Sequence, residues 1–152
     1  MNHQNKYQIV RHSLLIAQKW QDRANGLVEK ELGLTTKQWM LLTNLEDEFE
    51  GHLPTLSEVT DSFGTSRQNI KRLIVELQNK GYLIIANDPG DSRVLRIALT
   101  GKHKEFYQKN RNIQLLELLT EEYFQSLEEE ELAEFEKTVN KIFDQISISN
   151  NM

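Results

Sequence analysis

The sequence predicts a mainly helical chain interrupted once by a small β-hairpin. Three observations predict it. Apolar residues recur at steps of three and four over most of the 152 residues. Ser/Thr-x-x-Glu/Gln boxes and glycine stops punctuate those runs, as helix starts and ends require. The period changes only between Tyr82 and Leu99, where β-rich runs flank a cluster of turn formers.

In chain order, residues from about His3 to Glu31 read as one long helix with two apolar sets. One is Tyr7, Val10, Leu14 and Ala17; the other is Ile9, Ile16, Trp20 and Leu27. Two stripes on one helix predict burial on more than one side, as for a helix wedged between its own domain and a partner subunit. Gly33 ends it. Thr35 with Gln38 opens a second helix to about Leu45, with Trp39, Leu41, Leu42 and Leu45 on its core side. After a polar loop with Gly51 and Pro54, Thr55 with Glu58 opens a short helix, Leu56 to Phe63, stopped at Gly64. Thr65 or Ser66 then starts a fourth, Thr65 pairing with Gln68 in a further box. Its apolar stripe is Ile70, Leu73, Ile74 and Leu77, and Gly81 is its stop. Two short helices joined by a Gly-containing turn, the second polar outside, make a helix-turn-helix.

Tyr82–Ile85 and Val94–Leu99 then pair across the turn formers Asn87-Asp-Pro-Gly-Asp91, giving a hairpin with a five- to seven-residue loop. A helix-turn-helix followed at once by a hairpin is a winged helix. Helical period returns from Thr100 to about Phe124. Ser126 with Glu129 opens the last helix, and Glu128–Glu131 suit its first turn, where the helix dipole favours anions. Beyond them Leu132, Phe135, Val139, Ile142 and Ile146 form a heptad seam that wants a partner helix.

The chemistry concentrates on the fourth helix. Gln68, Lys71, Arg72 and Val75 lie opposite its apolar stripe. Amides and guanidinium groups read base edges in a DNA major groove, and a valine can meet a thymine methyl. Ser66 and Arg67, at the helix start, are placed for phosphate, and Asn69 sits nearer the edge of the core stripe. Arg93 at the hairpin tip and Arg96 on the returning strand suit a narrow minor groove, although Asp88 or Asp91 could pair with Arg93 instead. Net charge is −5, yet it is unevenly spread: +4 over residues 57–111, −8 over 112–152 and −1 over 1–56. A basic middle between acidic ends is the footprint of a localised phosphate-facing surface.

In this order and spacing the parts resemble the MarR family of bacterial transcription regulators over nearly the full chain. The resemblance is carried by Leu34-Thr-Thr-Lys-Gln-Trp-Met-Leu-Leu42, by the run from Leu56 to Leu73, and by Leu77-Gln-Asn-Lys-Gly-Tyr-Leu83. Asp88-Pro-Gly-Asp-Ser-Arg93 and Leu99-Thr100 complete it. It implies a homodimer in which residues 1–33 and 112–152 interlock, while residues 34–111 form the winged helix that meets a pseudopalindromic operator in double-stranded DNA. It also implies control, as a repressor, by a small-molecule effector bound where the two parts meet; Trp20, Trp39, Met40, Phe106 and Tyr107 are the expected pocket walls. The wing departs from the family: Ser92 stands where a second Arg is common, the strand before it ends on Ala86-Asn87, and His103 replaces a usual Gly.

Other function classes find little support. With no Cys, disulfides, thiol sensing and cysteine metal sites are excluded. The four His lack metal-binding spacing, and no phosphate loop or nucleophile elbow is present, so neither an enzyme nor a cofactor or metal site is expected. No apolar run approaches a membrane span and the N-terminus lacks the apolar core of a signal peptide, which predicts a cytoplasmic protein. The alternative reading is a winged-helix module for protein–protein contact, with the acidic C-terminal region as its docking surface.

Overall fold

The structure, a computed structural model, describes residues 2–104 and 120–150. Helix α1 spans His3–Leu32, α2 Thr36–Glu48, α3 Leu56–Phe63 and α4 Arg67–Asn79. Strands β1 (Leu83–Asn87) and β2 (Leu95–Leu99) form a two-stranded antiparallel hairpin, and α5 runs over Glu129–Asn150. The mainly helical winged helix-turn-helix, with long helices at both chain ends, is the architecture the sequence predicts.

The caps explain the boundaries. Thr35 and Thr55 each accept a hydrogen bond from the amide three residues on, while Gln38 and Glu58 reach back, so both boxes form as expected. At α4 the start falls one residue later than the Thr65–Gln68 pairing predicts. Ser66 is the cap, its Oγ accepting from the Asn69 amide at 3.3 Å, and Gln68 is left pointing outward. At α5 the side chain of Glu131 accepts from the Glu128 amide at 3.0 Å, which moves that start past the Ser126–Glu129 pairing. Gly81, at φ 80°, closes α4 with a Schellman motif: its amide bonds to Gln78 O and the Tyr82 amide to Leu77 O, both at 2.9 Å. Tyr82 thereby belongs to the helix cap, and β1 begins at Leu83.

One core holds the winged helix together. Ala24, Val28 and Leu32 at the end of α1 meet Leu41, Leu42 and Leu45 of α2, Val59 of α3, the α4 stripe, and Leu83 and Ile97 of the hairpin. The stripe Ile70, Leu73, Ile74 and Leu77 is buried throughout, so burial of one face of α4 fixes which face looks out. The first half of α1 is different. Tyr7, Ile9, Val10 and Leu14 are well exposed, as are Phe135, Val139, Ile142 and Ile146 on α5. Among the described residues, both terminal helices thus carry large exposed apolar side chains. Trp20, midway along α1, packs against Tyr123 and Phe124 at ring separations of 6.0 and 5.8 Å, and Arg23 pairs with Glu122 at 2.6 Å. No helix among the described residues is long and apolar enough to cross a membrane.

Candidate nucleic-acid interface

The turn between α3 and α4 is built by Gly64, whose positive φ (74°) lets its amide bond back to Thr60 O before the chain turns into α4. Arg67 Nη1 donates to Ser57 Oγ at 2.8 Å, tying the two helices together at the surface. Ser66, Arg67, Gln68, Asn69, Lys71, Arg72 and Val75 are all exposed. Among the described residues Gln68 and Lys71 have no hydrogen-bond or ion-pair partner, so their donors and acceptors face water. Asn69 is partly engaged, its side-chain amide donating to Thr65 Oγ1 at 3.4 Å. Arg72 lies 3.5 Å from Glu76 one turn on. Val75 interrupts this polar face with an exposed apolar side chain.

The wing is held by two aspartates. Asp88 Oδ2 accepts from the Gly90 and Asp91 amides at 2.9 and 3.1 Å, which shapes the tip. Its Oδ1 accepts from Arg96 Nε at 2.8 Å. The Arg96 guanidinium also donates to Leu53 O at 3.0 Å and lies 3.7 Å from Glu58, while the Ile97 amide bonds to Pro54 O. Arg96, expected from its strand position as a DNA contact, is therefore a clamp between wing and α3, only 27% exposed. Arg93 is 88% exposed and forked on Asp91, with Nε and Nη2 each 3.0 Å from a carboxylate oxygen. The alternative sequence reading of an intraloop pair is what the free chain adopts.

The carboxyl pKa values follow this geometry. The Arg96 hydrogen bond, then the Gly90 amide, holds Asp88 below the usual carboxylate range. The Arg93 side chain does the same for Asp91, which in return raises the Arg93 guanidinium. Glu58 is lowered chiefly by the Thr55 amide it caps. All three acids are thus ionised near neutrality, and the wing keeps its shape there.

Of the expected effector walls, three lie in the described residues. Trp39 lies in the core, Trp20 faces Tyr123 and Phe124, and Met40 is half exposed on α2. Phe106 and Tyr107 lie outside the described residues. A groove of about 700 Å3 opens between α1, α2 and α4, lined by Asn25, Thr36, Gln38, Arg72, Glu76 and Lys80 among others. A second cleft of about 660 Å3 lies under the wing, beside the buried His103, whose Nε2 is 2.6 Å from Glu46 Oε2. Sequence reasoning missed Glu76, although its spacing of four from Arg72 marks the pair.

Residues 32–94 match the sequence profile of the MarR family. Over 80 residues the chain is 32% identical to the transcriptional repressor MprA of Escherichia coli K12, which covers 53% of this chain and 45% of that protein. The chain thus aligns with under half the length of that relative. The crystal structure of the transcriptional regulator BldR from Sulfolobus solfataricus superimposes with a TM-score of 0.78 at 18% identity, covering 95% of this chain and 99% of BldR. Sco3205, a MarR family regulator from Streptomyces coelicolor solved in complex with DNA, gives 0.77 at 14% identity over 95% of this chain and 89% of its own. These identities speak to fold alone. Residues 32–94 thus resemble the MarR family, and the winged helix-turn-helix fold is shared with BldR and Sco3205 along nearly the whole chain.

Proposed function

We propose that the chain is a sequence-specific repressor that binds a pseudopalindromic operator in double-stranded DNA as a homodimer, in the cytoplasm, and is released by a small molecule. The family is one of regulators and not enzymes. The observation that carries the reading is α4 itself: with one face wholly buried, Gln68, Lys71, Arg72 and Val75 are fixed on the outside of the second helix of a helix-turn-helix. Residues 34–111 form the DNA-reading part, and residues 1–33 and 112–152 the dimerising part. The exposed apolar side chains of α1 and α5 support that division, since large uncovered apolar patches mark interaction surfaces. The names of the relatives, a repressor in one case and a DNA complex in another, agree with it.

In this mechanism Ser66 and Arg67 bind phosphate beside the helix start, and Gln68, Lys71 and Arg72 reach base edges. Asn69 supports that helix start, and Val75 meets a thymine methyl. Arg93 leaves Asp91 for the minor groove. Arg96 keeps the wing in register and acts on DNA through it. The effector acts by favouring a separation of the two α4 helices other than the spacing of about 34 Å that successive major grooves demand. A duplex selected by the protein from a random pool provides the test. On that duplex Arg72→Ala is expected to cost about 1–3 kcal/mol of discrimination against a scrambled sequence. Arg93→Ala is expected to weaken both complexes alike, with a shallower dependence on salt. Gel-shift titrations that leave both variants at wild-type affinity would count against the proposal.

A further inference from the structure

Gln38 is a polar side chain only 4% exposed, and it stands where three helices meet. Its Oε1 accepts from the Thr35 amide at 3.2 Å and from Lys80 Nζ at 2.9 Å; its Nε2 donates to Glu76 Oε2 at 2.8 Å. Lys80 Nζ also donates to the carbonyl of Gly33, the glycine that caps the end of α1, at 2.8 Å. The orientation of the amide is settled by its neighbours. Turned over, it would set its NH2 against an ammonium and an amide donor, and its oxygen against a carboxylate. Glu76 is consequently pinned from behind by a buried group, while its other oxygen, Oε1, faces Arg72 Nη1 at 3.5 Å. An ordinary surface pair four residues apart has two mobile ends. This one has a single mobile end.

We infer that Glu76 is a positioning residue for sequence discrimination: anchored by Gln38, it holds the Arg72 guanidinium for base reading and keeps that cation from binding phosphate indiscriminately. The inference rests on the DNA-reading role proposed above. A fixed carboxylate on the outer side of α4 acts in two ways. It limits the directions that the four-torsion Arg72 side chain takes, and it repels any phosphate brought close by a wrongly seated duplex. A correct site supplies a base edge that replaces the Glu76 contact, whereas a wrong site supplies only phosphate.

Glu76→Gln separates these roles, because its side-chain oxygen still accepts from Gln38 while the charge is gone. The expected result is tighter binding to scrambled duplex, a salt dependence steeper by about one phosphate contact, and a fall in discrimination of about five- to tenfold. The thermal midpoint should stay near that of the wild type. In an Arg72→Ala background the same substitution should change discrimination hardly at all, since its effect passes through Arg72. Gel-shift titrations of the four proteins of this cycle, on selected and scrambled duplexes at several salt concentrations, decide it. A wild type that binds selectively, with additive Glu76→Gln and Arg72→Ala effects, overturns this inference and leaves the DNA-reading proposal standing. A wild type with no salt-dependent duplex binding overturns both.

Discussion

Leu14→Glu on α1 is expected to leave the winged helix folded and yet weaken operator binding by about 10²–10⁴-fold, the factor lost when two linked sites become one. Leu14 is 68% exposed and belongs to the apolar set of Tyr7 and Val10, away from the core that begins at Ala24. A charge there lies outside the core formed by the described residues. In the proposed dimer the same side chain faces the partner, where an unpaired carboxylate carries a desolvation penalty of several kcal/mol. The combination separates assembly from folding. Circular dichroism should be unchanged, sedimentation should report single chains, and the residual DNA binding should have lost its preference for paired half-sites. A variant that still sediments as a dimer would remove α1 from the interface.

Leu77→Ala is expected to act in the opposite way, through the fold. Leu77 is 0% exposed at the end of the α4 stripe, and its carbonyl accepts the Tyr82 amide of the Schellman cap. Truncating a fully buried leucine removes its transfer energy and leaves a cavity, at a cost of about 2–5 kcal/mol. Set against a typical domain stability of about 5–15 kcal/mol, that is a large share. The consequence for function is specific, because the buried stripe is what turns Gln68, Lys71 and Arg72 outward. Urea denaturation should show a lower midpoint at unchanged slope. A midpoint equal to that of the wild type would mean that α4 is not seated as described.

Most of the fold was legible in the sequence because the signals that set it are local. The boxes at Thr35 and Thr55, the glycines at 64 and 81, and the α4 stripe all act within four residues of themselves. Where two local signals compete, reading was less sharp. Thr65 and Ser66 are both good caps, and the turn made by Gly64 gave the place to Ser66. The hairpin was legible, but the strand ran on to Asn87, since Asn87 pairs with Leu95 across the ladder.

The site was legible only as far as α4 reaches. Its exposed face follows from the buried one. By contrast, Arg96 with Leu53 O, Gln38 with Glu76, and His103 with Glu46 join residues 43, 38 and 57 positions apart. No periodicity encodes such contacts, and a cation on a strand looks the same in sequence whether it faces DNA or a neighbouring helix. Gln38 shows the difficulty well. Its capping role was evident from spacing, while its grip on Glu76 and Lys80 emerges only once α2 and α4 are packed together.

All of this turns on the exposed apolar faces of α1 and α5 being matched to a second copy. Sedimentation equilibrium of the wild-type chain, alone and with its selected duplex, asks that directly. The account predicts twice the chain mass at micromolar concentration and two chains on each duplex. A single-chain mass throughout, with one chain bound per duplex at full affinity, would contradict it.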